Sequence, residues 1–260
     1  MDTPAVAAPV KIKRWLPYWA VFQADVRHTL QSWVWRTWVL VSVLVTVGYS
    51  LYRYGAEHEG AILQSASQLV SDLLRWTILG SATLVIVLTA GSISSERGTI
   101  ADSILSRGIS RYQYFLGKWH ARLTAVLMTF FVLGTAALVS SHFLLHEELS
   151  FTGSVAALLI VAALLAVVST CGVAVSAITN STVVGIAALW IAVYGAGIVL
   201  SLLTDTKKSE ASPMWLIQIL PNVLHGQFNW HMVGRLAGWS ALISCAAAVI
   251  GMGYFSRRDV

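Results

Sequence analysis

The stretch Gly91–Arg122, GSISSERGTIADSILSRGISRYQYFLGKWHAR, decides the fold. It is the longest polar run between two strongly apolar segments, and it holds five of the seventeen Lys and Arg residues. Gly98 breaks the helix that precedes it. Thr99-Ile-Ala-Asp102 fits a loose capping box, in which a hydroxyl and a carboxylate satisfy the orphan amides of a helix start. Ile100, Ile104 and Leu105 then share one side of a short helix. Arg107 suits the negative end of that helix, and Gly108 suits the left-handed residue that closes it. Ser110-Arg-Tyr-Gln113 is a second capping box and opens the next long helix. The pattern predicts a membrane helix, a break, a short helix over 99–107, a second break, and a helix that returns to the membrane. A short helix held between two spans is a lever, because a push from outside the membrane moves both spans. The plainer alternative is an ordinary loop.

Composition sets the class. The 260 residues are 57% hydrophobic and only 11% charged. A soluble domain carries about 25% charged residues, so this chain cannot cover a water-facing surface. It reads as an all-α polytopic membrane protein forming one transmembrane domain over 1–260. The two cysteines, Cys171 and Cys245, lie in apolar runs and exclude a disulfide framework. The first 14 residues lack an apolar core, so no cleavable signal peptide is expected.

Residues 1–10 are small and Pro-containing and read as disordered. In the 15–33 stretch, Trp19, Phe22, Val26, Leu30 and Trp33 recur at three- and four-residue steps, with Gln23, Arg27, His28 and Gln31 between them. This predicts an amphipathic elbow helix lying in the membrane interface. Six spans follow, at 34–52, 76–95, 117–145, 154–178, 183–203 and 236–255. The first starts with Trp35 and Trp38, expected at a headgroup boundary beside a snorkelling Arg36. The third is longer than a bilayer needs, so Lys118, Trp119, His120 and Arg122 are expected to project into the interface. Only Thr179–Thr182 joins the fourth span to the fifth. The apolar piece between Pro213 and Pro221 is too short to span and predicts an interfacial or re-entrant helix before the sixth.

Six spans put both termini on one side. Twelve of the seventeen Lys and Arg fall in the N-terminal segment, the 93–122 loop and the C-terminal tail. Only Arg53, Arg75, Lys207, Lys208 and Arg235 fall opposite. Positive residues mark the cytoplasm, so both termini and the lever are expected inside.

No Walker A, H-E-x-x-H or G-x-S-x-G sequence occurs, so no ATP site or catalytic motif belongs to this chain. The central portions of the second, fourth, fifth and sixth spans lack ionisable groups. That disfavours an ion-coupled transporter and points to an apolar or amphipathic cargo. Five of the seven histidines fall on the outer side. His142 and His146, four apart, are the weak candidates for a metal. Gly234 and Gly238 form the plainest small-xxx-small pair for close helix packing.

The stretch from Glu96 to Lys118 resembles permease subunits of ABC transporters, of the type-2 exporter branch. Glu96, Gly98, Thr99, Leu105, Ser106, Ser110, Arg111, Gly117 and Lys118 match as they stand. Gly108 departs, since proline is usual there, but either residue ends a helix. The chain is similar above all to small single-domain permeases, such as those of nitrous-oxide-reductase maturation and of drug or peptide-antibiotic export. The resemblance implies that 99–107 is a coupling helix docking on a separate ATP-binding subunit, present in two copies. Its contact set would comprise Glu96, Arg97, Gly98, Thr99, Ile100, Asp102, Ser103, Ile104, Arg107, Gly108, Ser110 and Arg111. The elbow residues Trp19, Phe22, Val26, Arg27 and Leu30 would brace the same subunit. ATP and Mg would be bound by that partner and no cofactor by this chain, which would not itself be an enzyme. A second permease copy, making a homodimer, and a bacterial inner (plasma) membrane location complete the implied assembly. Two alternatives remain open. One is force transmission to an outer-side partner without transport; the other is an intramembrane metal-dependent enzyme built on the outer histidines.

Overall fold

A computed structural model describes residues 15–58, 80–96, 109–145, 150–195 and 213–257. Among these residues every regular element is helical. In chain order they are α1 (Leu16–Gln31), α2 (Trp33–His58), α3 (residues 80–90), α4 (Arg111–Leu145), α5 (Phe151–Ile178), α6 (Thr182–Trp190), α7 (Pro213–Leu224) and α8 (Trp230–Arg257). A turn and the short 3-10 piece Ser94–Glu96 follow α3, and α6 continues into a π-helical turn, Ile191–Gly195. The coupling helix expected over 99–107 lies outside the described residues, as do 1–10 and His146.

Four helices are long and apolar enough to cross a membrane: Trp33–Tyr52 in α2, Arg111–Ser140 in α4, Phe151–Ile178 and Trp230–Arg257. At 1.5 Å per residue, the 28 residues of α5 exceed the roughly 30 Å of a hydrocarbon core. The chain is a helical, membrane-embedded protein. Of the expected second and fifth spans, 80–90 and Thr182–Gly195 are described helix.

Several expected boundaries move for local chemical reasons. The helix of the expected third span opens at Arg111, ahead of the span's expected start at 117 and where the Ser110–Gln113 capping box was expected to open it. The Ser110 amide donates to Gln113 Oε1 at 3.2 Å and the Gln113 amide to Ser110 Oγ at 3.2 Å, a complete capping box. The helix of the expected sixth span begins at Trp230, ahead of 236. The piece between the prolines runs through Pro221 to Leu224. There the Gly226 amide donates to the Val223 carbonyl and the Gln227 amide to the Asn222 carbonyl, both at 2.9 Å. With Gly226 at φ +82°, this is a Schellman close. The elbow helix ends at Gln31, two residues short of the expected 33, with Ser32 as its C-cap. The extended backbone of Ser32 turns the chain, while its hydroxyl donates to the Thr29 carbonyl at 2.7 Å and accepts from the Trp35 amide at 3.2 Å.

Helix α5 is the centre. It packs on α4, α6, α7 and α8, and over half of its apolar window is buried, against about a tenth for α2 and α8. Small residues allow the close approach. A side chain at Gly172 would run into Thr89 of α3, and one at Gly251 of α8 would meet Ala174 at 2.8 Å. Gly234 and Gly238, by contrast, face open space. Trp35 and Trp38 turn inward. Trp35 Nε1 donates to Thr129 Oγ1 and Trp38 Nε1 to Ser81 Oγ, each at 2.9 Å. Buried indole nitrogens need such partners, and α3 and α4 supply them.

Gly172→Ala is expected to lower stability by about 1–3 kcal/mol through overpacking against Thr89. Gly234→Ala should be neutral, and thermal unfolding of both variants in mild detergent compares them.

Candidate functional site

The described residues bury three charged side chains, and all three meet at one place. Asp25 lies in the middle of α1 and is 4% exposed. Lys118 and Arg122, at i and i+4 on α4, are equally enclosed. Lys118 Nζ stands 3.1 Å from Asp25 Oδ1. Arg122 Nε stands 2.9 Å from Asp25 Oδ2, a close ion pair without a directed hydrogen bond, while its Nη2 donates to Asp25 Oδ1 at 3.3 Å. Glu96 supplies the second carboxylate, with Oε1 2.6 Å from Lys118 Nζ. Two carboxylates and two cations leave the cluster formally neutral.

Backbone oxygens complete the coordination. Lys118 also donates to the Ser92 carbonyl at 2.8 Å, and Arg122 Nη1 to the Leu88 carbonyl at 3.1 Å. Both carbonyls belong to the last turns around the α3 end, where helix carbonyls have lost their partners. Tyr114 OH donates to Glu96 Oε2 at 2.9 Å. The ammonium also lies 5.5 Å from the centre of the Tyr114 ring, which stacks on Phe255 of α8.

The turn after α3 is pinned from a second side. Ser176 Oγ, near the end of α5, accepts from the amides of Ile93 and Ser94 at 2.8 and 2.9 Å. Ser94 Oγ meets Thr182 Oγ1 at the start of α6 at 3.0 Å. Three helices, α4, α5 and α6, thus bond to residues 91–96, immediately before the 97–108 segment. The far side of that segment is held too. Ser110 caps α4, and Arg111 Nη1 donates to the Ser256 carbonyl at 3.2 Å.

The sequence-derived site divides accordingly. Glu96 is in place, with its carboxylate turned onto Lys118 and Tyr114. Ser110 and Arg111 are engaged as described. Arg97, Gly98, Thr99, Ile100, Asp102, Ser103, Ile104, Arg107 and Gly108 lie outside the described residues. On α1 the buried stripe is Val21, Asp25 and Thr29, at four-residue steps. The expected apolar stripe is its flank: Phe22 and Val26 are half-buried, Trp19 and Leu30 are exposed, and Arg27 points outward. Lys118 and Arg122, expected in the interface, are buried because Asp25 neutralises them. The sequence did carry a signal for this. Two cations one turn apart on one helix face call for a carboxylate, and Asp25 is the single acid between Leu16 and Tyr52.

No group of three or more His, Cys, Asp or Glu suited to a metal occurs among the described residues. His142 falls in α4, and the described side chains do not include it. No protein-family model and no curated protein matches the chain.

Removing one member of a buried ion group costs about 3–5 kcal/mol, because the others stay desolvated. Asp25→Asn is therefore expected to lower the melting temperature sharply. Glu96→Gln should cost less, since Glu96 is partly exposed and Lys118 keeps Asp25 and the Ser92 carbonyl. Equal melting temperatures for the two variants would contradict this ranking.

Proposed function

We propose that the chain is the membrane permease subunit of an ABC exporter of the type-2 branch, working in a bacterial inner membrane. In this reading six spans place both termini in the cytoplasm. Two copies of the chain work with two copies of a separate ATP-binding subunit, which holds ATP and Mg. The 99–107 helix is the contact with that subunit, and α1 braces it.

The supporting observation is the fastening of both ends of the 97–108 segment at one end of the helical bundle. Glu96 just before it and Tyr114 just after it share a 2.9 Å hydrogen bond, and Lys118 holds Glu96 at 2.6 Å. A push on a segment anchored in this way reaches α3 and α4 together. Asp25 passes it to α1, Ser176 to α5 and Phe255 to α8. Movement of ATP-binding subunits would thereby become a rigid-body displacement of spans, the usual way that packed elements transmit a switch. The cargo this favours is apolar or amphipathic, because every buried charge among the described residues belongs to this anchoring cluster.

The tagged protein, purified in mild detergent, is expected to bring down a subunit carrying a Walker A motif. Arg107→Glu should abolish that association while the melting temperature of the membrane subunit stays unchanged. A protein that purifies alone, as a stable species, would contradict the reading. In inverted vesicles, ATP-dependent cargo uptake is expected; hydrolysis without uptake would favour force transmission to an outer partner.

A further inference from the structure

The corner where α1 turns into α2 has an unusual surface. Trp33, just past the turn, is 79% exposed, and at the opposite end of α1 Trp15, Leu16 and Trp19 are all more than half exposed. Arg27 and Arg36 are exposed on either side of the turn. Arg36 follows Trp33 by three residues, so guanidinium and indole lie on the same side of α2. Among the described residues neither arginine has an acidic partner. The one acid between Leu16 and Tyr52 is Asp25, which is buried and neutralised by Lys118 and Arg122. The exposed positive charge of this corner is thus left uncompensated. Three further cations, Lys11, Lys13 and Arg14, precede it in the sequence.

Helix α1 also has three distinct faces. Val21, Asp25 and Thr29 face the protein. Trp19, Phe22, Val26 and Leu30 form an apolar flank that α4 leaves partly uncovered. Gln23, Arg27 and Gln31 lie on the exposed polar side. An apolar flank beside unpaired arginines and open indoles fits one environment, the boundary between acyl chains and charged headgroups.

We propose that the α1–α2 corner binds anionic phospholipid, with Arg36 and Arg27 holding the headgroup phosphate and Trp33 lying against the glycerol and upper acyl region. Guanidinium matches phosphate in a forked, two-bond geometry. The proposal needs only the membrane-embedded character of the chain. Arg27 is also among the elbow residues that the resemblance places against the ATP-binding subunit, so the test uses vesicles that hold this chain without that partner.

The test uses the full-length protein in vesicles of equal parts phosphatidylcholine and phosphatidylglycerol. After extraction in mild detergent, the co-purifying lipid is measured. The wild-type protein is expected to be enriched in phosphatidylglycerol. Arg27→Gln and Arg36→Gln should each reduce that enrichment by about fivefold, the weight of one cation at an anionic bilayer surface. Their combination should abolish the enrichment, while melting in pure phosphatidylcholine stays at the wild-type value. Arg27→Lys with Arg36→Lys should retain most of it. A wild-type protein with no enrichment, or a double glutamine variant as enriched as wild type, would overturn the proposal. Displacement of phosphatidylglycerol by excess inorganic phosphate would overturn it as well, in favour of a soluble anion.

Discussion

The described structure depends on one carboxylate held between two cations. Asp25 sits on a helix whose neighbours in sequence are cationic, and it is turned away from water to meet Lys118 and Arg122. Desolvating three charges is costly, and their mutual attraction offsets that cost only when geometry and extra hydrogen bonds are good. Here the extra bonds come from backbone carbonyls of Leu88 and Ser92 that a helix end leaves free. The cluster therefore fixes more than α1. It fixes where α3 stops relative to α4, and so where the 97–108 segment leaves the bundle.

Around that point the fastenings are redundant in kind. Charge holds Glu96, hydroxyls of Ser176 and Thr182 hold the turn, and aromatic stacking brings in Phe255. The opposite end of α5 is held differently, by the Schellman close of α7 and by the Ser150 amide on the Leu224 carbonyl at 3.1 Å. Small residues in α5 let its neighbours come close enough for both ends to form. The exposed surfaces of α2 and α8 are almost wholly apolar, as a lipid-facing surface must be.

Much of this was legible in the sequence. Apolar run length marked the long helices, and Ser110 with Gln113 announced the start of α4. The turn between α5 and α6 was visible in Thr179–Thr182. What sequence periodicity missed was the inward face of α1. Trp19, Phe22, Val26 and Leu30 make the stronger apolar stripe, and an acid is ordinarily assigned to water. Only a partner elsewhere in the chain reverses that, and Lys118 lies 93 residues away. The inward bonds of Trp35 and Trp38 were not legible for a similar reason: their acceptors, Thr129 and Ser81, lie far away in the chain. Pro221 was read as a helix boundary, yet the turn closed by Gly226 carries the true stop.

A double-mutant cycle on Asp25→Asn and Lys118→Met, followed by thermal unfolding in mild detergent, tests the central claim most directly. If the two side chains form one buried ion group, the second substitution removes a charge already stranded by the first. The combined loss should then fall well short of the sum of the single losses. Strictly additive losses would mean that the two residues act separately, and that Asp25 does not tie α1 to the helix ends around the 97–108 segment.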